Sequence, residues 1–226
     1  MPTRNEPAVE DLISKIKEIM KSLNIDYEIL AVDKSDDDTP DKLRALGIEI
    51  MQQKSKGLGG AIVEGLEAAR GDLVFVMDAD LSHDPKFLPL FIEKSKEGFD
   101  VVVGSRRIEG GEVIGWSLYR KSVSAIANFV GRLGSGLNIS DITSGYRLYW
   151  RTVIEALDFQ DFKTSGYAFQ LEVLSKAASI GFKIGEVPIV FYDRAKGKSK
   201  LSKKDIFEFI LTSIRLGFRR FERALS

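Results

Sequence analysis

The sequence predicts an α/β protein built on a mainly parallel sheet, and three observations carry that expectation. Short β-branched and apolar runs alternate with longer amphipathic ones along 226 residues, the order expected of βαβ units. Residues 73–77 (LVFVM) are apolar at every position, which suits a parallel strand buried on both faces. The composition, 44% hydrophobic and 29% charged, is that of a globular chain long enough to bury a core.

Residues 7–23 read as a helix because Val9, Leu12, Ile13, Ile16, Ile19 and Met20 recur at three- and four-residue spacing. A strand at 27–32 follows, then an aspartate-rich turn, a short helix at 41–46, a strand at 48–52 and a helix at 60–69. Beyond the apolar run come a helix at 85–96, a strand at 100–104, helices at 119–132 and 168–178, a strand at 186–191 and a last helix at 203–223. The Gly/Ser-containing stretch at 131–140 reads as a mobile loop. Met1, Pro2 and Thr3 open directly into a turn, so the first strand of such a domain is expected to be missing or truncated. Residues 1–200 are expected to form the catalytic domain and 201–226 a basic amphipathic terminal helix.

Composition removes several chemistries. Without cysteine there are no disulfides, thiolate metal sites or cysteine nucleophiles, and a single histidine, His83, leaves no Ser-His-Asp triad and no multi-histidine metal cage. Any metal must be held by oxygen. No apolar run reaches the ~18–20 residues that cross a bilayer and no leader is evident, so the chain is expected to be neither spanning nor secreted. A formal net charge of zero gives no overall pull toward nucleic acid.

Asp78-Ala79-Asp80 directly follows the most hydrophobic strand. Residues i and i+2 of an extended segment point to one side, so two carboxylates would project together, as a Mg²⁺ or Mn²⁺ site for a diphosphate requires. The rival reading is a solvated turn before Pro85. A second acidic run, 33–38, also follows a strand, and only Asp33 is assigned to a ligand, as an acceptor for nucleobase N–H groups. Arg106, Arg107, Arg120, Lys121 and Arg194 lie near strand ends; several cations converging on one cleft would make a second phosphate site, although each alone reads as surface.

The ordered motifs Pro-Thr-x-Asn-Glu (2–6), Val-Asp-x-Ser-x-Asp-x-Thr (32–39), Lys-Gly-Leu-Gly-Gly-Ala (56–61), Met-Asp-Ala-Asp-Leu-x-His (77–83), Gly-Ser-Arg (104–106), Trp-x-x-Tyr-Arg-Lys (116–121), Ser-Gly-Tyr (144–146) and Val-Pro-Ile-Val-Phe-Tyr-Asp-Arg-x-x-Gly-x-Ser-Lys (187–200) resemble the dolichyl-phosphate mannose synthases, inverting family 2 glycosyltransferases. The resemblance implies a GT-A fold. It places Pro2, Arg4, Glu6 and Asp33 at the nucleoside, and Asp78, Asp80 and Ser82 at the diphosphate and its Mg²⁺ or Mn²⁺. It gives Arg106, Arg120 and Ser124 to the acceptor phosphate, with Asp80, Arg106 and Arg120 as the catalytic set, and closes Arg194 and Lys200 over the donor. Arg4, Val32 and Ser82 depart from the family, which commonly has tyrosine, an acidic residue and glutamine there.

The implied reaction transfers mannose from GDP-mannose to a polyprenyl (dolichyl) phosphate with inversion. A UDP-glucose-dependent glucosyltransferase and a catalytically silent nucleotide-sugar binding module are the alternatives, and a membrane subunit is left open as a partner. The 203–223 helix carries Phe207, Ile210, Leu211, Ile214, Phe218 and Phe221 at helical spacing, with basic residues between them. Such a helix can lie in a headgroup region, so the chain is expected on the cytoplasmic face of a membrane. Residues 194–226 hold ten Lys/Arg and three Asp/Glu, so the neutral total conceals a basic end and an acidic remainder.

Overall fold

A computed structural model describes residues 1–162, 164, 166–193 and 203–225. Nine strands and eight α-helices occur among them, in the order β1 (Pro2–Thr3), α1 (Val9–Leu23), β2 (Leu30–Asp33), α2 (Thr39–Ala45), β3 (Glu49–Gln52), α3 (Gly57–Ala68), β4 (Leu73–Val76), α4 (Leu88–Lys96), β5 (Val101–Ser105), β6 (Glu112–Ile114), α5 (Leu118–Ser135), β7 (Arg147–Trp150), α6 (Arg151–Ala156), α7 (Gly166–Ser179), β8 (Ile184–Pro188), β9 (Val190–Tyr192) and α8 (Lys203–Leu225). A parallel three-stranded sheet, β1-β2-β3, forms the first half. The second half is a four-stranded sheet, β4-β7-β5-β8, in which β5 and β8 are parallel and β7 runs antiparallel to both its neighbours. A parallel ribbon of β6 and β9 completes the framework.

Two apolar clusters hold these parts together. One packs α1, including Leu12 and Ile13, against Leu43, Phe91, Val102 and Tyr146. The other packs α3 and α7, through Leu66, Phe169, Leu171 and Leu174, against Val101, Val103 and Tyr149. α1 follows its 3.6-residue apolar spacing, with Val9, Leu12, Ile13, Ile16 and Met20 buried. It ends where Asn24 takes a left-handed conformation at φ 52°, a backbone region asparagine tolerates.

One expectation from the sequence is met in the structure and three change. The first strand is truncated, as expected, to two residues: Pro2 and Thr3 register with Val32 and Asp33, and the Met1 carbonyl accepts the Val32 N–H at 2.9 Å. The apolar run at 73–77 is not a parallel strand buried on both faces. β4 pairs antiparallel with β7 and alternates half-buried with buried residues, and the strand buried at every position is β5. The stretch at 131–140 is no loop at its start, because α5 continues to Ser135 and turns at Gly136. The 186–191 strand is two, β8 and β9, interrupted at Ile189 so that one half joins the main sheet and the other joins β6.

α8 lies against α5 and α7, with Phe209, Thr212 and Ser213 buried beneath it. The approach to α5 depends on glycine: a Cβ on Gly134 would stand 2.2 Å from the Ser213 carbonyl oxygen. No described helix is long and apolar enough to cross a membrane.

Candidate active site

The carboxyl ends of β1 and β2 bring the predicted nucleoside residues together. Thr3 faces Asp33 across the ladder and donates its hydroxyl to Asp33 Oδ1 at 2.8 Å. Ser35 donates its hydroxyl to the same oxygen at 2.7 Å and its amide to Oδ2 at 3.0 Å. Asp33 is thus buried with both oxygens oriented, which removes the entropy of fixing a carboxylate when a ligand N–H arrives. Asn5, at φ 56°, exchanges side-chain and backbone hydrogen bonds with Asp36, and the Glu6 amide donates to Thr39 Oγ1 at 3.0 Å. Residues 4–6 are therefore tied to the turn after β2. Arg4 is exposed, and Pro2 forms the start of β1.

The two aspartates leave the sheet differently from the extended geometry expected. β4 stops at Val76, and residues 77–82 form a bend in which Leu81 has φ 62°. Ala79 is buried between Asp78 and Asp80, which are half-buried, so the alternation survives without a strand. Asp80 Oδ1 accepts the amide of Ser82 at 3.0 Å and also its hydroxyl. Ser82 is buried, so the hydroxyl at the predicted third metal position is turned to supporting Asp80. His83, also buried, accepts the Asp78 N–H on Nδ1 at 3.0 Å, stacks on Tyr146 at 4.8 Å and meets the edge of Phe191 at 5.5 Å. The lone histidine is a fastener for the acidic bend.

On the opposite side, β5 delivers Arg106. Its Nε and one Nη donate to the two oxygens of Asp141 at 2.6 and 2.7 Å, and the same Nη donates to Thr143 Oγ1 at 3.0 Å. Both partners are buried. Burial alone would push the Asp141 carboxyl up, but the Arg106 charge and hydrogen bonds outweigh it and hold the group below the usual carboxylate range. Arg106 correspondingly holds its proton more tightly: burial works against its charge, and Asp141 with a lesser pull from Asp78 overcomes that. Phe191 links this arginine to the acidic bend, with its ring 5.4 Å from the Arg106 guanidinium and 5.5 Å from the His83 ring.

The loop that supplies Asp141 and Thr143 is braced from three directions. Glu186 accepts the Ser140 and Asp141 amides at 2.8 and 3.1 Å. Buried Asn128 of α5 accepts the Ile142 amide at 2.8 Å and donates to Thr143 Oγ1 at 3.0 Å. Fully buried Arg147 of β7 donates to the Ile142, Ser144 and Gln170 carbonyls.

Two guanidinium groups lie over Trp116, Arg120 at 4.1 Å and Arg106 at 5.3 Å from its ring centroid. The turn before it needs glycine: Gly115 has φ 90°, and a Cβ there would stand 2.9 Å from Asp193 Cβ. Arg120 also pairs with Asp193 at 2.6 Å. Ser124, one helical turn on, accepts from Arg107 at 3.0 Å. The structure thus gathers Arg106, Arg120 and Ser124 as the sequence led one to expect. Sequence reasoning missed Asp141, Thr143 and Asn128. Arg194 and Lys200 lie outside the described residues.

An acidic and hydroxyl-lined edge, an Asp-x-Asp bend and a cluster of arginines, all on a mainly parallel GT-A sheet, fit a sugar-nucleotide transferase class. The Glycosyl transferase family 2 model matches residues 1–158, and the chain belongs to that family. Among curated relatives it is similar to the dolichol-phosphate mannosyltransferase of Pyrococcus furiosus, at 38% identity over 96% of this chain and 62% of that protein. It is also similar to the undecaprenyl-phosphate mannosyltransferase of Micrococcus luteus, at 34% identity over 96% of this chain and 92% of that protein, and to the polyprenol monophosphomannose synthase of Mycolicibacterium smegmatis, at 38% over 84% and 77%. The chain therefore spans under two thirds of the Pyrococcus protein. Among solved structures, glucosyl-3-phosphoglycerate synthase from Mycobacterium tuberculosis, in complex with Mn²⁺, uridine diphosphate and phosphoglyceric acid, superimposes with a TM-score of 0.70 at 22% identity, over 94% of this chain and 76% of that one. That likeness is one of fold.

Proposed function

We propose that this chain transfers mannose from a nucleotide-mannose, GDP-mannose by preference, to a polyprenyl phosphate at a membrane surface, by a single displacement that inverts the anomeric carbon. The observation that carries the reading is that Phe191 joins the acidic bend to the arginines, packing on His83 of the bend at 5.5 Å and lying 5.4 Å from both Arg106 and the Trp116 that holds Arg120, in a chain whose relatives are named as polyprenyl-phosphate mannosyltransferases.

Asp33, held by Thr3 and Ser35, accepts from the base, with Pro2, Arg4 and Glu6 around the nucleoside. Asp78 and Asp80 fit a hard divalent cation, because both are carboxylates on one bend and Ser82 and His83 fix that bend. Among the described residues no third His, Cys, Asp or Glu joins them, so phosphate and water oxygens would fill the remaining positions. Mg²⁺ or Mn²⁺ held there would offset charge on the departing diphosphate.

The acceptor needs no protein base. A phosphate monoester carries about −1.5 to −2 charge at neutral pH, so its oxygen is already nucleophilic. The protein's task is positioning: Arg120 lies over Trp116 and is paired with Asp193, and Arg106 is locked by Asp141, so neither must be ordered when the acceptor binds.

Two exposed helix faces support membrane contact. Phe129 and Leu133 on α5 are 69% and 71% exposed, and Phe207 and Phe218 on α8 are 68% and 67% exposed. Apolar side chains left in water at that scale mark a surface that is covered in use, and the basic residues of α8 suit anionic headgroups.

The test is transfer of radiolabelled sugar from GDP-mannose and from UDP-glucose to a polyprenyl phosphate with Mg²⁺ or Mn²⁺. Mannosyl lipid from GDP-mannose is expected. Glucosyl lipid alone would replace the donor assignment, and donor binding without transfer would favour a silent binding module.

A further inference from the structure

α5 and α8 run side by side in the same direction, so their carboxyl ends lie together, far from the arginines at the head of α5. A Cβ on Gly131 would stand 3.0 Å from the Phe209 ring, one on Gly134 would strike Ser213, and one on Gly136 would stand 2.5 Å from Arg220 Cζ. Gly136 ends α5 at φ 70°. It lines a groove of about 390 Å³ together with Phe129, Arg132, Leu133, Leu137 and Asn138. Arg132 of α5 and Arg220 of α8 thus converge on one groove with apolar walls.

Neither charge is balanced nearby. α5 contains no acidic residue, and among the described residues neither guanidinium has a carboxylate partner, whereas Arg215 of α8 pairs with Glu172 at 3.8 Å. Glu222 is two residues from Arg220 and so leaves the helix on another side. Arginine at a helix end commonly answers the macrodipole, but the end of α5 carries only about −0.5 charge. Two full charges exceed it, and the groove stays positive. Planar guanidinium forks match phosphate oxygens, and Phe129 and Leu133, both exposed, offer apolar surface to the acyl chains that accompany a phosphodiester.

We propose that this groove binds the phosphodiester headgroup of an anionic membrane phospholipid between Arg132 and Arg220, as a site separate from that of the acceptor. Arg132 lies twelve residues beyond Arg120 on α5, about 18 Å along the axis. The lipid takes no part in the chemistry. It pins the far end of α5 to the membrane while the near end receives the acceptor phosphate, so the helix lies along the surface. The proposal rests on the membrane contact of α5 and α8 and not on the transferase activity.

The experiment measures sedimentation of the full chain with phosphatidylcholine vesicles, with and without phosphatidylglycerol, for wild type, Arg132→Gln, Arg220→Gln and the double variant. A basic residue near an anionic surface corresponds to about fivefold in affinity. Each single variant is expected to bind phosphatidylglycerol vesicles weaker by about that factor. The double variant is expected to lose less than the product of the two, because one headgroup shared by two arginines couples them. Transfer to a short-chain prenyl phosphate in solution and the thermal midpoint are expected to stay unchanged. A double variant within twofold of wild type overturns the site, and losses that multiply overturn it in favour of diffuse attraction. A wild-type dimer in vesicle-free solution that either substitution dissociates would assign the groove to a contact between copies instead. Weaker transfer to the soluble acceptor would overturn the separation of the two sites. Wild type that ignores phosphatidylglycerol removes the membrane contact and this site with it, whereas wild type that sediments with the vesicles through these arginines yet transfers no sugar keeps the site and removes the transferase reading.

Discussion

The donor edge and the acceptor edge of this molecule solve opposite electrostatic problems. At the donor edge, carboxylates are fixed by neutral donors: Asp33 by Thr3 and Ser35, Asp80 by Ser82. Their negative charge stays available for a base N–H or a cation. At the acceptor edge, arginines are fixed by carboxylates, Arg106 by Asp141 and Arg120 by Asp193, so each is oriented before the acceptor phosphate arrives. A hydroxyl orients an acid without altering its charge, whereas a counter-ion orients a base, offsets part of its charge and leaves a buried charge behind when it is removed. The donor edge should therefore fail mainly in catalysis when altered, and the acceptor edge mainly in stability.

The largest expected effect falls on the acceptor edge. Asp141→Ala leaves the buried Arg106 charge unpaired and should cost about 3–5 kcal/mol, read from denaturant unfolding; a loss under ~1 kcal/mol would break the contrast. The pH dependence has a definite sign. Asp141 titrates below its ordinary value of 3.8 in the folded chain, so its contribution is present above that pH and is lost as pH falls below it toward the lowered folded value. Asp141→Asn should flatten that acid limb of the melting curve.

Next in size, Asp80→Ala should lower kcat about 10²–10³-fold while leaving circular dichroism and thermal midpoint near wild type. A fully active variant would remove the donor-edge assignment. Replacing both Phe207 and Phe218 by serine should shift most of the protein off anionic vesicles in sedimentation assays, since each buried phenylalanine contributes about 1.5–3 kcal/mol, with folding stability nearly unchanged because both are exposed. The smallest effect is assigned to Thr3→Val, which removes one of the hydroxyls on Asp33. A donor KM raised about fivefold, the scale of ~1 kcal/mol for a single hydrogen bond, with acceptor KM constant, would sharpen the division between the two edges.

The sequence revealed these edges unevenly. α1 and α8 were legible because a one-sided apolar stripe repeats every three to four residues. β7 was not, since Arg147-Leu-Tyr-Trp begins with a charge that reads as surface, although that arginine is fully buried on three backbone carbonyls. β1 was invisible as a strand because two residues carry no period. The Asp-x-Asp was legible from its place after an apolar run, although the strand ends two residues before it. The arginine cluster was legible by residue type, but its pairing was not: Asp141 is 35 residues from Arg106, and only the fold brings them together.

The proposed reaction is a direct displacement at a sugar held by the acidic bend, with the acceptor phosphate as nucleophile and no covalent intermediate on the protein. The anomeric configuration of the lipid product, measured by proton NMR coupling after transfer from an α-linked nucleotide-mannose, tests this most directly. A β-linked mannosyl phosphate is the predicted result, and an α-linked product would contradict it.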